Sequence, residues 1–321
     1  MKNIKVRATS AIVLLLILIP CFLITYFAKV PGKVIGLAFF MVFSSWATYE
    51  VISHNKLHQS FNIIFAVLVS ITWFFPFDWF KTTSINPNAF WETKTTGFNH
   101  DFLILTIKHL LFFGKDEISG LNALSISTIF IFSTIIFLFN ARKYESTIEF
   151  FKEYIICLFA LLFIPIFSKA LYIYNVANLY IFFAIFLIPI IADTSAYFGG
   201  MLLGHKIIKR GFAPHISPKK TWEGAIIGYL FAALFVFIAM YLGKMTNNSQ
   251  FIVLANYKQL IVAIILLPAV SQIGDLSFSL IKRKMNIKDF SNLIPGHGGL
   301  MDRFDSVSFV TLSLSLIFLI K

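Results

Sequence analysis

Two aspartates carry the strongest chemical signal in this chain. Asp275 lies near the end of one apolar run, Asp302 opens the next, and between them come Lys282, Arg283, Lys284, Lys288 and the turn Pro295-Gly296-His297-Gly298-Gly299. The interval lets the first run leave the membrane, turn and return, so that Asp275 and Asp302 face each other. Two carboxylates with no paired base in the same turn suit a hard cation such as Mg2+, which one or two carboxylates hold together with phosphates and water. The plainer reading pairs Asp302 with Arg303 and Asp275 with Lys282 as ion pairs. On helical spacing Asp275, Ser279 and Lys282 stack on one face, and Asp302 and Asp305 open the following helix one turn apart. His297 is either a turn residue or a phosphate contact.

Upstream, Asp193, Ala196, Tyr197 and Gly200 share one helical face. A carboxylate at membrane depth costs roughly 2.5 to 3.5 kcal/mol on insertion scales, so Asp193 is expected at a polar cavity or a cation. Gly199, Gly200 and Gly204 fit either that cavity or close helix contacts. Next comes Ser217-Pro218-Lys219-Lys220-Thr221. Ser217 and Pro218 are expected to form a turn, with a helix beginning at or just after Thr221 whose free amides point back at the loop. Two lysines, two hydroxyls and a helix N-terminus can wrap a polyphosphate. The frame is not that of a Walker A loop.

These residues need a membrane scaffold. Of the 321 residues 58% are hydrophobic, with 39 Phe, and the mean hydropathy is +0.81; soluble domains average about 45 to 50% apolar residues. The net charge of +12 is read as orientation toward the cytoplasm rather than as nucleic-acid binding. Cys21 and Cys157 lie apart in apolar runs and indicate neither a disulfide framework nor a thiolate metal site.

Nine spans are expected, at roughly 11–28, 34–52, 61–78, 121–141, 154–173, 177–203, 222–243, 259–281 and 301–320. The first is taken as a span, not a cleaved signal. Segment 102–113 is read as an interfacial or re-entrant helix within the loop 79–120. The basic loops 204–221 and 282–299 are placed in the cytoplasm, which by parity also places the N-terminus there. The fold class is thus an all-α polytopic membrane protein, one integral membrane domain covering 1–321. Residues 1–180 are its scaffold spans, with Glu50 as their clearest ionisable exception, and 181–321 hold the catalytic spans and cytoplasmic loops.

With these residues in hand the chain resembles the phosphatidate cytidylyltransferase (CDP-diacylglycerol synthase) family. Its C-terminal pattern is matched by Ser279, Lys282, Arg283, Lys288, Asp289, Pro295, His297, Gly298, Gly299, Asp302, Arg303 and Asp305. The Asp193, Ser217-Pro218, Lys220-Thr221, Glu223-Gly224 and Gly274-Asp275 elements agree. The likeness covers roughly 190–306, and the Gly204–Ser217 interval is longer than the family's usual spacing.

The resemblance implies a homodimer, a polar cavity open to the cytoplasm, a multi-pass place in the inner (plasma) membrane, a metal centre on Asp275 and Asp302, and CTP and phosphatidic acid as substrates. It would make Asp275, Asp302, Lys282, Arg283 and Arg303 catalytic, with Asp193 and Asp305 as further metal ligands or orienters. Ser217, Lys219, Lys220, Thr221, Ser279, His297, Gly298 and Gly299 would bind substrate. Mg2+ is the expected cofactor, with room for a second monovalent or divalent cation. A CTP-dependent lipid kinase is the rival enzyme and a secondary transporter the rival from another class. Transporters show paired interruptions in two related halves, and here the unusual residues crowd into one half.

Overall fold

The computed structural model describes residues 2–74, 100–111, 117–245, 251, 253–254 and 256–320. Among these the architecture is helical apart from one small hairpin, and seven helices are long and apolar enough to cross a membrane. They fall on expected spans one, two and four to eight. Spans three and nine correspond to the shorter apolar helices Gln59–Ile71 and Asp305–Ile317, each roughly 20 Å long at 1.5 Å per residue. The chain is a multi-pass membrane protein. By packing it forms two compact units: Met1–Ala177 with Asp289–Asp302, and Asn178–Lys288 with Arg303–Lys321.

The first unit contains α1 (Lys2–Phe27), α2 (Lys29–Ile52), α3 (Gln59–Ile71), α4 (His100–Leu110), α5 (Glu117–Phe139) and α6 (Thr147–Ala177). Helix α2 packs against α1, α3 and α6. Aromatic side chains fill that seam: Phe43 meets Phe167 edge-on at 6.1 Å, and Phe40 and Trp73 both approach the buried ring of Tyr172. Rings at such spacing gain edge-to-face attraction beyond their burial. Helix α4 covers most of segment 102–113 and packs on α5 and α6.

The buried ionisable groups of this unit are not confined to Glu50. Lys33, Glu50, Glu153 and Lys169 are all buried in this unit. They are tolerated because polar partners meet them, as buried charge requires: the Lys169 ammonium donates to the Thr72 carbonyl at 2.8 Å, and Glu153 accepts the Lys56 amide at 2.8 Å.

The second unit contains α7 (Leu179–Leu203), the hairpin strands β1 (Gly211–Ala213) and β2 (Ser217–Thr221), and α8 (Trp222–Phe237). A π turn, Ile238–Leu242, leads on to the short α9 (Gly243–Met245), and α10 (Tyr257–Lys284) and α11 (Asp305–Ile317) follow. Helices α7 and α8 make the tightest pair because glycine removes the side chains between them. A Cβ added at Gly224 would stand 2.6 Å from the Ala196 carbonyl oxygen, and one at Gly228 2.6 Å from that of Ala192. Such small-residue seams let membrane helices approach backbone to backbone. Side-chain oxygens cap the helix starts: Asn178 accepts from Tyr180 N at 2.8 Å, Thr221 from Gly224 N at 3.1 Å and Asn256 from Gln259 N at 2.7 Å.

Two local expectations change. Ser217 and Pro218 open strand β2, paired antiparallel with β1, rather than forming a turn. Proline is accommodated at the start of an edge strand, where its missing N–H leaves no ladder bond unmade. Asp302 lies in a 3-10 turn, Met301–Arg303, ahead of α11 rather than on its first helical turn.

Candidate functional site

In the second unit α7, α8, β2 and α10 enclose a cavity of about 450 Å³. Its wall includes Asp193, Ala196, Tyr197 and Gly200 from α7, so the face expected from their spacing does look onto one space. Lys219, Lys220 and Thr221 enter from β2 and the cap of α8, and Gln272 and Asp275 from α10. The Lys220 ammonium forms an ion pair with Asp275 Oδ2, and the Ser279 hydroxyl lies 3.4 Å from Asp275 Oδ1. The helical stacking of Asp275 with Ser279 is therefore present.

The hairpin is tied down from three directions, so its lysines project from a braced support. Thr221 is both the last residue of β2 and the N-cap of α8. In the first turn of α8 the Glu223 carboxylate accepts three main-chain N–H groups, those of His205 at 3.3 Å, Ile207 at 3.0 Å and Ile208 at 2.7 Å. That stitches the basic loop to the helix start, where a negative side chain also complements the helix dipole. Arg283 donates from Nε to the Ile216 carbonyl at 3.3 Å and from Nη1 to that of Ile287 at 3.0 Å. A guanidinium has five donors, so this bracing leaves capacity for an anion. Gln272 Nε2 donates to the Ala225 carbonyl at 2.8 Å and fixes α10 against α8.

Further charges of the same unit share the field of this cavity. Asp193 lies within electrostatic reach of Asp275, Lys220 and Arg303, and Asp305 within reach of Asp275, Asp193 and Lys282. Lys282 is buried on α10, whereas Arg303 is exposed. Asp305 Oδ1 accepts the Ser306 amide at 2.7 Å. Among the described residues no group of three or more His, Cys, Asp or Glu stands ready to hold a metal. The carboxylates of the cavity are accordingly a pair with basic neighbours, a composition that suits a cation arriving together with a phosphate.

The other motif residues belong to the first unit. There Asp302 is buried, and its Oδ2 accepts the amides of Phe290 at 2.9 Å and Gly299 at 2.8 Å. Around the turn Ile294 bridges Gly298, and Gly296 and Gly298 take φ of +74° and +85°, a region that glycine enters without penalty. Any Cβ at Gly298 would stand 2.8 Å from Asp302 Oδ2. His297 Nδ1 lies 2.9 Å from Ser10 Oγ. Sequence reasoning gave no task to Ser10, to Gln272 or to His54, whose Nε2 lies 2.7 Å from the Phe290 carbonyl oxygen, and only a place in the motif to Glu223. Glu50 alone gave a signal, as an acid in an apolar run.

Seven apolar helices and a cavity pairing acids with lysines define the class: a multi-pass membrane protein with a site suited to polyanions. A model of the cytidylyltransferase family matches residues 5–320, and the chain belongs to that family. It is 38% identical over 131 residues to a phosphatidate cytidylyltransferase of Haemophilus influenzae, covering 41% of this chain and 43% of that one. It is 39% identical over 125 residues to one of Rickettsia conorii (39% and 51% covered), and 40% identical over 138 residues to one of Staphylococcus aureus (43% and 48% covered). The chain spans about half the length of the curated relatives it matches.

Proposed function

We propose that the protein is a phosphatidate cytidylyltransferase, a nucleotidyltransferase of phospholipid biosynthesis. A phosphate oxygen of phosphatidate attacks the α-phosphorus of CTP, the bond from that phosphorus to the bridging oxygen breaks, and CDP-diacylglycerol and pyrophosphate result. The observation that carries this reading is the cavity of the second unit, where Asp193 and Asp275 meet Lys219 and Lys220 in a chain of the cytidylyltransferase family.

Both reactants are anions, so the first task is to bring negative charges together. Lys219 and Lys220 act as point charges on the triphosphate, while Arg283 and Arg303 offer planar forks for paired phosphate oxygens. The Thr221 and Ser217 hydroxyls and the start of α8 add donors of fixed direction. Ser279, one turn on from Asp275, orients that carboxylate, and Lys282, further along the same face of α10, adds positive charge beside Asp305. The nucleophile is already an ionised phosphate, so no strong general base is required. Positioning and charge neutralisation carry the reaction.

The donor set fits Mg2+. Asp275 already contacts one cation, the Lys220 ammonium, and it and Asp193, the two carboxylates of the cavity, offer the hard oxygens that Mg2+ accepts together with substrate phosphates, with Asp305 as an orienter. When bound, the ion supplies charge neutralisation between the phosphates. For Asp302, a ligand role stands beside its contacts in the turn, and substitution separates the two.

On the same reading the protein spans the plasma membrane nine times, with its N-terminus and the cavity mouth in the cytoplasm, and acts as a homodimer. Purified protein in detergent, given labelled CTP, phosphatidate and Mg2+, is expected to yield CDP-diacylglycerol and pyrophosphate by mass analysis. Release of CDP with a phosphorylated lipid would establish the kinase instead.

A further inference from the structure

Within the first unit the turn that carries His297 is held from outside by the first two helices. Ser10 Oγ of α1 donates to the Pro295 carbonyl at 2.8 Å and lies 2.9 Å from His297 Nδ1. A hydroxyl has a single proton, so with that proton on Pro295 the Nδ1 contact runs the other way, from an N–H to the serine oxygen. Neutral His297 then presents an acceptor at Nε2.

Near the end of α2, Glu50 is 3% exposed. Its Oε1 accepts Ser291 Oγ at 2.7 Å and Trp46 Nε1 at 3.2 Å, and its Oε2 accepts the Met301 amide at 3.1 Å. Gly299 packs directly on it, for a Cβ there would stand 2.7 Å from Glu50 Oε2. All three partners donate, so an acceptor-only carboxylate serves them, whereas an amide would turn donors against a donor. A carboxylate in a buried apolar helix is costly, and packing alone asks for none at this position.

We propose that Glu50 is a positioning residue of the enzyme: it fixes the backbone from Ser291 to Met301 and so sets the orientation of His297, which the motif makes a substrate contact. The proposal rests on the cytidylyl-transfer reading and extends its machinery into the N-terminal helices. Ser10 is the second anchor of the same turn, on the histidine side.

The test compares purified Glu50→Gln with wild type in three ways: amide hydrogen exchange of peptides covering 289–301, thermal unfolding, and kcat and KM for CTP and phosphatidate per folded molecule. Expected are faster exchange across the turn and a loss of about tenfold to a hundredfold in kcat/KM, the scale of small misplacements, with the folded fraction retained. Ser291→Ala, which removes one loop-side partner and leaves the carboxylate in place, is expected to give the same pattern more weakly, and serves if Glu50→Gln does not fold. Unchanged exchange would overturn the clamp. Faster exchange with wild-type kcat/KM would reduce Glu50 to a structural residue and overturn the positioning role. Absence of CDP-diacylglycerol from the wild-type reaction would count against the reaction itself, and the exchange comparison would still decide the clamp.

Discussion

Asp275 in the second unit and Asp302 in the first carry the same side chain and meet opposite surroundings. Asp275 lines an open cavity and is held by other side chains, the Lys220 ammonium and more distantly the Ser279 hydroxyl. Asp302 is buried, and one of its oxygens takes two main-chain N–H groups of the glycine turn. A lysine is long and flexible and can yield its place to another cation or to a phosphate, whereas an amide of a closed turn cannot leave without undoing the turn. The first arrangement suits chemistry; the second builds the turn. Glu223 and Glu50 behave like Asp302, since each also satisfies main-chain donors.

The largest effect should fall on the cavity. Asp275→Asn removes the charge that faces Lys220, and labelled CTP incorporation into lipid is expected to drop by about a thousandfold, the upper range for losing one preorganised electrostatic contact. Melting should stay close to wild type, and near-normal turnover would remove Asp275 from the reaction and with it the contrast.

Asp302→Asn sharpens the same contrast from the other side. Charged acceptors of buried hydrogen bonds are worth about 1.5 to 3 kcal/mol, so the variant should melt several degrees lower and show faster amide exchange at Phe290 and Gly299. If instead it melts like wild type yet makes no product, Asp302 belongs with Asp275 among the residues of the reaction.

A smaller effect is expected at the hairpin. Lys220→Ala should raise the KM for CTP by about tenfold, roughly the 1.4 kcal/mol of one charge-assisted contact, with kcat less affected. Titration of initial rates against CTP reads this directly, and an unchanged CTP dependence would take Lys220 out of the nucleotide site.

Much of this protein was legible in one dimension. Apolar runs such as 154–173 and 259–281 mark helices because hydrophobic length is a local property and a bilayer demands it. The helical period places Asp193 with Tyr197 and Gly200, and Asp275 with Ser279, because neighbours one turn apart share a face whatever surrounds them. Thr221 announces a helix start through its own side chain. The spacing of motif residues from Asp193 to Asp305 pointed to the family.

Tertiary structure decided the rest. Whether Ser217-Pro218 forms a turn or a strand depends on the pairing of Thr221 with Gly211, ten residues away. That Glu50 meets Ser291, and Ser10 meets His297, depends on contacts between residues 241 and 287 positions apart, which no local periodicity encodes. The unlike surroundings of Asp275 and Asp302 arise in the same way. A residue type states which hydrogen bonds a group can make, and only the folded chain states which donors reach it.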